Sequence, residues 1–262
     1  MNTKLKKLFG AFALVTAAYY CGLRGTDLLL PKVVAQIPTT PFIMRQHVVA
    51  LDSRDRPQVT EDRITAVRGD GMEVRLVTRP TRPEAGIATL LIRPDGYATA
   101  GFEGLGARMS AFLTRRKMEA IQMRALMAAG GCRFANEKTA GEEQILGIHT
   151  KMLIAEQPGK RLVNWRAPGF MCVDLKFTEE SLNDGVWKTA LSVVPVTFEA
   201  KTPPADLFDE AHLTALKEMK PSQLQALVNQ KSGVTPESCP RCFQNETIER
   251  MDRGYQENQV RH

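Results

Sequence analysis

The sequence predicts an α+β fold in which an antiparallel meander sheet carries helices packed on one face. Short β-rich runs separated by turn dipeptides occupy both halves of the chain, and a single long amphipathic segment lies between the two groups. Strands that are grouped together, rather than alternating with helices, favour an antiparallel sheet over a parallel one.

The first group of strands lies between residues 42 and about 102. Its β-rich runs are separated by Gly69-Asp70-Gly71 and by Pro94-Asp95-Gly96. Asp-Gly pairs supply the positive φ angles that tight hairpin turns need. Apolar and polar residues alternate approximately between these turns, which favours strands over helices. We therefore expect an antiparallel meander of four or five strands.

Residues 107–129 predict a helix. Apolar side chains recur at spacings of three and four, and Gly130-Gly131 follows the pattern as a helix stop; the recurring residues are Met109, Phe112, Leu113, Ala120, Met123 and Met127. The opposite side is basic. Packing of the apolar side on the sheet is the simplest interpretation, and contact with an anionic membrane surface is an alternative.

The methionines of this predicted helix also suggest a binding surface. Methionine is flexible and polarizable, so a methionine-rich face can adapt to an apolar ligand. The candidate ligand-binding residues are Met109, Phe112, Met123 and Met127.

The second group of strands lies between residues 143 and 200. Four runs are expected, with turns at Pro158-Gly159 and Asn183-Asp184-Gly185. Residues 204–230 then predict one or two short helices interrupted before Pro221. We expect one folded domain over residues 36–228 and a polar peripheral tail over 229–262.

The N-terminus has the order of a secretory leader. Lys4, Lys6 and Lys7 precede an apolar run of about 16 residues, shorter than the roughly 20 that a comfortable membrane span needs. A signal peptide cut after Ala35 and an uncleaved anchor both fit, and membrane association would then run through residues 8–30. Lipidation at Cys21 is a third alternative, disfavoured because Tyr19 and Tyr20 replace the small residues that a lipoprotein peptidase prefers. Each alternative predicts an exported protein of the periplasm or cell envelope.

Composition and motifs argue against several functions. The net charge of +6 is spread along the chain, and no basic block interleaved with aromatics suggests nucleic-acid binding. The G-x-S-x-G and H-E-x-x-H motifs are both absent from the sequence, and no cofactor or metal site is predicted. The protein is therefore expected not to be an enzyme, although an active site without a sequence motif stays open.

Two cysteine pairs need separate interpretations. In an exported chain, Cys132 and Cys172 are best explained as a structural disulfide, with free buried thiols and redox or metal chemistry as alternatives. Cys239 and Cys242 form a C-P-R-C motif. A local disulfide is the first interpretation there, and a metal half-site, redox catalysis and unpaired thiols stay open.

Three segments resemble a group of uncharacterised exported bacterial proteins: ILGIHT from residue 145, NWRAPGFMCVDLKF from residue 164, and DLFDEAHLTALKEMKPS from residue 206. The resemblance covers residues 42–225 and is most specific over 141–177. The group is distantly similar to the lipoprotein-carrier fold, the LolA-like half-barrel. That similarity implies a curved antiparallel sheet closed by helices around an apolar cavity, and it assigns no functional residue.

The combined expectation is an exported non-enzymatic binding protein for an apolar or lipid-like ligand or a partner polypeptide. The leader, the meander pattern and the methionine-rich segment support it. The alternative is a structural or interaction module of the cell envelope that has an envelope protein as partner and no ligand.

Overall fold

The structure is a computed structural model. It describes residues 40–51, 56–94, 97–112, 131–134, 136–232 and 252. The strands of these residues form one curved, unclosed sheet of twelve strands in the order β12-β6-β5-β4-β3-β2-β1-β11-β10-β9-β8-β7. All neighbours are antiparallel except β12 (Lys217–Glu218) and β6, which are parallel.

The N-terminal half of the sheet is a meander. Its strands are β1 (Phe42–Leu51), β2 (Pro57–Val67), β3 (Glu73–Thr78), β4 (Ala88–Ile92), β5 (Tyr97–Phe102) and β6 (Ala107–Phe112). The predicted meander over residues 42–102 is confirmed as five strands. The turn at residues 69–71 is also confirmed, and Asp70 stabilises it by accepting a 3.0 Å hydrogen bond from the Met72 backbone N–H.

The C-terminal half is a second meander of five strands. They are β7 (Lys138–Ile145), β8 (Ile148–Gln157), β9 (Lys160–Ala167), β10 (Val173–Asn183) and β11 (Val186–Glu199). The prediction of one strand across residues 143–156 is wrong. Leu146 and Gly147 have φ angles of 51° and 77°, so they form a two-residue hairpin turn that separates β7 from β8.

The two meanders meet where β1 pairs with β11. In this ladder Met44 lies opposite Phe198 and Val48 lies opposite Val193. The first strand of the sheet therefore lies in its middle, while β6 and β7, consecutive along the chain, lie at or next to opposite edges.

The ladder between β10 and β11 is incomplete, and the side chain of Gln46 fills the gap. β10 pairs with β11 only from Phe177 onward. Gln46 Nε2 instead donates 3.0 Å hydrogen bonds to the carbonyl oxygens of Asp174 and Leu175. Gln46 is buried, so these bonds replace main-chain pairing where the halves diverge.

The main core forms at this divergence. Buried side chains from β1 and β2 pack with buried side chains from β7, β9 and β10; its buried members are Phe42, Met44, Val67, Ile145, Val163, Trp165, Ala167 and Leu175. At its border the Phe42 and Phe198 rings stack at 5.2 Å, and Phe170 meets Phe198 edge-to-face at 4.7 Å. Both geometries are favourable for aromatic pairs.

A second core covers the other face of the N-terminal half. Residues 205–216, which include the short helix α1 (Ala211–Thr214), bring Phe208 and Leu213 onto Ala66, Val74 and Leu91. This approach requires a glycine on β5: a Cβ atom at position 101 would lie 2.3 Å from Leu213 Cδ2.

A longer helix, α2 (Pro221–Ser232), follows α1 along the chain. The interrupted helical pattern predicted after residue 204 is therefore observed. None of the helices in the described part of the chain has the length and apolar character that a membrane crossing needs. The antiparallel sheet of the predicted fold class is confirmed, whereas a layer of helices on one face is not.

Replacement of Gln46 tests the bridge between the halves. Gln46→Met keeps the side-chain length but leaves the carbonyls of Asp174 and Leu175 without a donor. We expect a loss of about 1–3 kcal/mol in the free energy of unfolding, measured by urea denaturation. Exposed Gln58→Met is the matched control and should change it by less than about 0.5 kcal/mol. Equal effects of the two substitutions would contradict the bridging role.

Candidate functional site

The strongest candidate for a binding surface is an apolar strip on one face of β4, β5 and β6. The register places Leu90 opposite Ala100 and Ala100 opposite Met109, so these side chains form one row across three strands. The neighbouring rows are also apolar; the strip consists of Ala88, Leu90, Ile92, Ala98, Ala100, Phe102, Ala107 and Met109. None of the three core clusters includes these residues.

Strand alternation produces this strip. Side chains at even positions of β4 lie on the strip face, whereas Leu91 points to the opposite face and packs under Phe208 and Leu213. β4 is therefore apolar on both faces. One face is covered by residues 205–216, and the other presents half-buried Leu90 and Ile92.

Paired charges border the strip along β2 and β3. Glu73 lies opposite Ile92 and Arg75 lies opposite Leu90, and these two charged side chains form an ion pair with 2.5 Å between Nε and Oε1. Farther along the border, Arg63 Nη2 donates a 2.8 Å hydrogen bond to Glu61 Oε2. Arg79 Nε forms an ion pair with Glu61 Oε1 at 3.4 Å. The surface is therefore amphipathic, with an apolar floor beside a charge-neutralised rim.

The structure places the predicted ligand residues in two groups. Met109 lies on β6 as part of the strip, and Phe112 ends the same strand, although its side chain is not described. Met123 and Met127 lie outside the described residues. The predicted helix over 107–129 is therefore wrong for residues 107–112, which pair with β5 instead.

Contacts from distant residues explain why β6 is a strand. Arg108 and Ser110 lie on the face opposite Met109, and Ser110 Oγ is 3.2 Å from Thr99 Oγ1. Glu218 of β12 lies 2.8 Å from Arg108 Nε and accepts a 3.0 Å hydrogen bond from the Ser110 backbone N–H. These contacts stabilise β6 as a strand. They cannot be inferred from the helical spacing of its apolar residues.

A disulfide lies shortly before β7 along the chain. Cys132 and Cys172 are bonded, with Cα atoms 5.4 Å apart, and both are buried against Leu153. The predicted structural disulfide is confirmed. Cys239 and Cys242 lie outside the described residues.

A buried ion cluster supports the disulfide. Arg166 donates hydrogen bonds of 2.7 and 2.8 Å to the two carboxylate oxygens of Glu137, and one of 2.9 Å to the carbonyl of Cys132. Its Nε donates a 2.9 Å bond to the half-exposed Asp174. Burial lowers the pKa of Arg166, but its bonds and charge contacts with the two carboxylates outweigh this effect and raise the pKa.

The Arg166 cluster and the disulfide anchor one end of the segment between β6 and β7. This segment joins β6, which lies beside edge strand β12, to β7, which is the other edge strand. Its sequence contains Met123 and Met127. Cys132 is held beside β8 by the disulfide, and Glu137 is held on β9 by its bidentate ion pair with Arg166.

The described residues offer little for catalysis. They contain no group of three or more metal-ligating side chains. His47 lies 2.9 Å from Asp62 and His149 lies 3.7 Å from Glu142, and all four side chains are largely exposed. A shallow cavity of about 180 Å³ opens near the β8–β9 turn, lined by Ala155, Gln157, Lys160, Leu162 and Glu179. It is smaller than the roughly 300 Å³ at the lower end of ordinary ligand pockets.

Sequence reasoning missed most of the strip and all of the ion cluster. Alternating apolar residues at 88, 90 and 92 and at 98, 100 and 102 are a signal for the strip once the strands are assigned. Glu137 and Arg166 are 29 residues apart, and nothing in their local sequence pairs them.

No protein-family model matches this chain, and no curated protein matches it either. Among solved structures, PNGF-II is 10% identical with a TM-score of 0.42, over 74% of this chain and 34% of that chain. A DUF1329 family protein from Desulfovibrio piger is 12% identical with a TM-score of 0.29, over 79% and 98%. A LolA superfamily protein from Nitrosomonas europaea is 7% identical with a TM-score of 0.32, over 68% and 93%.

The chain thus spans about a third of the length of PNGF-II and nearly the full length of the other two structures. The distant resemblance to the LolA-like half-barrel expected from the sequence is consistent with these neighbours. Likenesses at this level carry no conclusion about a ligand.

Removal of the disulfide should destabilise the fold. Replacing Cys132 and Cys172 by alanine releases a cross-link across a sequence separation of 40 residues. We expect a loss of about 4 kcal/mol in the free energy of unfolding, measured by urea denaturation without reductant. Adding dithiothreitol should bring the wild-type protein to the value of the variant. A wild-type curve that does not respond to complete reduction would contradict this.

Glu137 and Asp174 offer a matched comparison around one guanidinium. Glu137→Gln leaves the buried charge of Arg166 without its main partner, and we expect a loss of about 3–5 kcal/mol in the free energy of unfolding. Asp174→Asn removes a half-exposed partner and should cost less than about 1 kcal/mol. Thermal and urea unfolding would measure both, and equal losses would show that the bidentate pair is not the main contact.

Proposed function

We propose that this chain is an exported, non-enzymatic binding protein that holds an apolar or lipid-like ligand on the apolar strip of β4, β5 and β6. The observation that carries the proposal is the strip itself. Eight apolar side chains lie on one face of three adjacent strands, outside the three core clusters; Ala98 and Ala107 are buried, and the other six are half-buried. Contiguous apolar surfaces rimmed by polar residues often mark ligand or partner sites.

The charged border favours a specific ligand site over a nonspecific hydrophobic surface. Glu61 and Glu73 are buried and ion-paired with arginines, so the rim is neutralised within the protein. A neutral rim beside an apolar floor suits a long apolar molecule, because neither surface leaves a charge without a partner when water is expelled.

The chain between β6 and β7 supplies the second part of the proposal. In its sequence, apolar residues including Met123 and Met127 recur at helical spacing. We propose that Met123 and Met127 contact the same ligand as the strip. Methionine side chains would let this contact adapt to ligands of different shape.

The location of the strip relative to the main core adds support. The register runs from Met44 through Thr65 and Arg75 to Leu90, so the main core and the strip share one face of the N-terminal half. A ligand lying on the strip would therefore extend toward an existing apolar region.

Exposed apolar residues on the C-terminal half favour a second candidate, an interaction module of the cell envelope. Val194 and Val196 on β11 are 37% and 40% exposed, and Leu182 and Val186 at the β10–β11 hairpin are 44% and 59% exposed. If these residues contact a partner protein, the protein would need no ligand.

A pair of substitutions on the strip separates the two candidates. Leu90→Gln with Met109→Gln places two amides on the apolar floor, and we expect the Kd for a dansyl-labelled fatty acid to rise by about tenfold or more. Fluorescence titration of the full chain measures this. The matched control, Val194→Gln with Val196→Gln, alters exposed residues elsewhere and should change the Kd by less than about twofold.

The opposite result, with unchanged binding in the folded strip variant and weakened binding in the β11 variant, would contradict the strip as the ligand site. Absence of fatty-acid binding by the wild-type protein, with lipid-free material from its native envelope, would favour the interaction module. Circular dichroism would establish that each variant is folded.

A further inference from the structure

Two buried polar atoms on β9 and β10 have no hydrogen-bond partner in the structure. They are the indole Nε1 of Trp165 and the hydroxyl Oγ1 of Thr178. Trp165 is 7% exposed and belongs to the main core. Buried polar groups are paired in the great majority of cases, so two unpaired groups near one another require a reason.

The strand register places the two groups on one face. Trp165 lies opposite Lys176, and Val163 lies opposite Thr178, so Trp165 and Thr178 are diagonal neighbours across the β9–β10 ladder. Diagonal neighbours on a sheet lie about 7–8 Å apart, within reach of a common ligand. Both groups can donate a hydrogen bond, and the indole N–H can only donate.

A cation lies beside them. Lys176 Nζ is 4.1 Å from the centroid of the Trp165 ring, and the described residues give it no carboxylate partner. The cations of the neighbouring strand β9, in contrast, are ion-paired: Lys160 with Glu179, Arg161 with Glu180, and Arg166 with Glu137. Lys176 thus adds a positive charge that no described carboxylate neutralises.

The neighbours of these three residues on β8 are apolar and half-buried. Met152 lies opposite Trp165, and Ile154 lies opposite Val163, and both are half-buried at the border of the main core. Lys176 and Thr178 are half-buried as well. Two unpaired donors and an ammonium group therefore meet an apolar surface at the boundary with solvent.

We propose that Trp165, Thr178 and Lys176 form a subsite for the oxyanion head of an amphiphile, a carboxylate or a phosphate attached to an apolar chain. The indole N–H and the threonine O–H would donate hydrogen bonds to the oxyanion, and the Lys176 ammonium would balance its charge. The apolar chain would contact Met152 and Ile154. This inference rests on the proposed function, since it assigns the head group of the same class of ligand.

Tryptophan fluorescence makes the subsite directly observable. The chain contains two tryptophans, so Trp187→Phe leaves Trp165 as the reporter. In this background, bromine-labelled stearate should quench Trp165 fluorescence on binding. Stearate and stearyl phosphate distinguish the two oxyanions, and methyl stearate serves as the uncharged probe.

Substitution of the donors should weaken oxyanion binding selectively. We expect Thr178→Val and Lys176→Gln each to raise the Kd of the preferred oxyanion by about fivefold to tenfold, while the Kd of methyl stearate changes by less than about twofold. Matched controls are Thr189→Val and Lys188→Gln on β11, whose side chains are exposed and should leave both values unchanged.

The ligand-free stability of Thr178→Val provides an independent check. Valine has a similar shape and removes a buried hydroxyl without a partner, so the urea midpoint should stay the same or rise while oxyanion affinity falls. A purely structural role for Thr178 predicts the reverse, a lower midpoint and unchanged affinity. That result would overturn the subsite.

The outcomes separate this inference from the proposed function. If fatty acid binds and the strip variant weakens binding, but Trp165 is not quenched and both donor variants bind normally, the subsite is wrong and the binding function stands. If neither charged nor uncharged probes bind, both proposals fail. Equal loss of affinity for stearate and methyl stearate in the donor variants also overturns the oxyanion assignment.

Discussion

Pairing of β1 with β11 joins the two meanders into one twelve-stranded sheet. Each meander is made of hairpins between neighbouring segments, and each has an unsatisfied strand edge until the first strand meets the last long one. Joining them brings residues about 150 positions apart into register; Val48, for example, lies opposite Val193. One continuous sheet results, with its two edges at β12 and β7.

This junction also explains why the sheet bends into a core. From Val194 onward, β11 pairs with β1 but no longer with β10. The first residues of β10 therefore diverge from β11. Gln46 satisfies the carbonyls left behind, and the aromatic group of Phe42, Phe170 and Phe198 fills the space. The C-terminal strands therefore cover β1 and β2, and the apolar strip on β4, β5 and β6 remains outside that core.

Two adjacent buried residues of β9 differ in their hydrogen bonding. Arg166 donates hydrogen bonds to several acceptors, and together with the disulfide it holds Cys132 and Glu137 in place. Trp165, the adjacent residue on β9, has a buried donor without any acceptor. Adjacent residues of a strand point to opposite faces of the sheet. One face of β9 therefore carries the anchoring contacts of Arg166, and the other carries the proposed binding contact of Trp165.

Three features were predictable from local sequence and composition: the meander over residues 42–102, the turn around Asp70, and the disulfide between Cys132 and Cys172. The first two depend on turn chemistry and strand alternation, which act over a few residues, and the third was predicted from the leader-like N-terminus. Other features appear only in the folded chain: residues 107–112 form a strand, Leu146 turns the chain, and Gln46 and Arg166 bridge distant segments. The reason is physical: Glu218, Asp174 and Glu137 become partners only after folding brings them close, and their contacts outweigh weak local preferences.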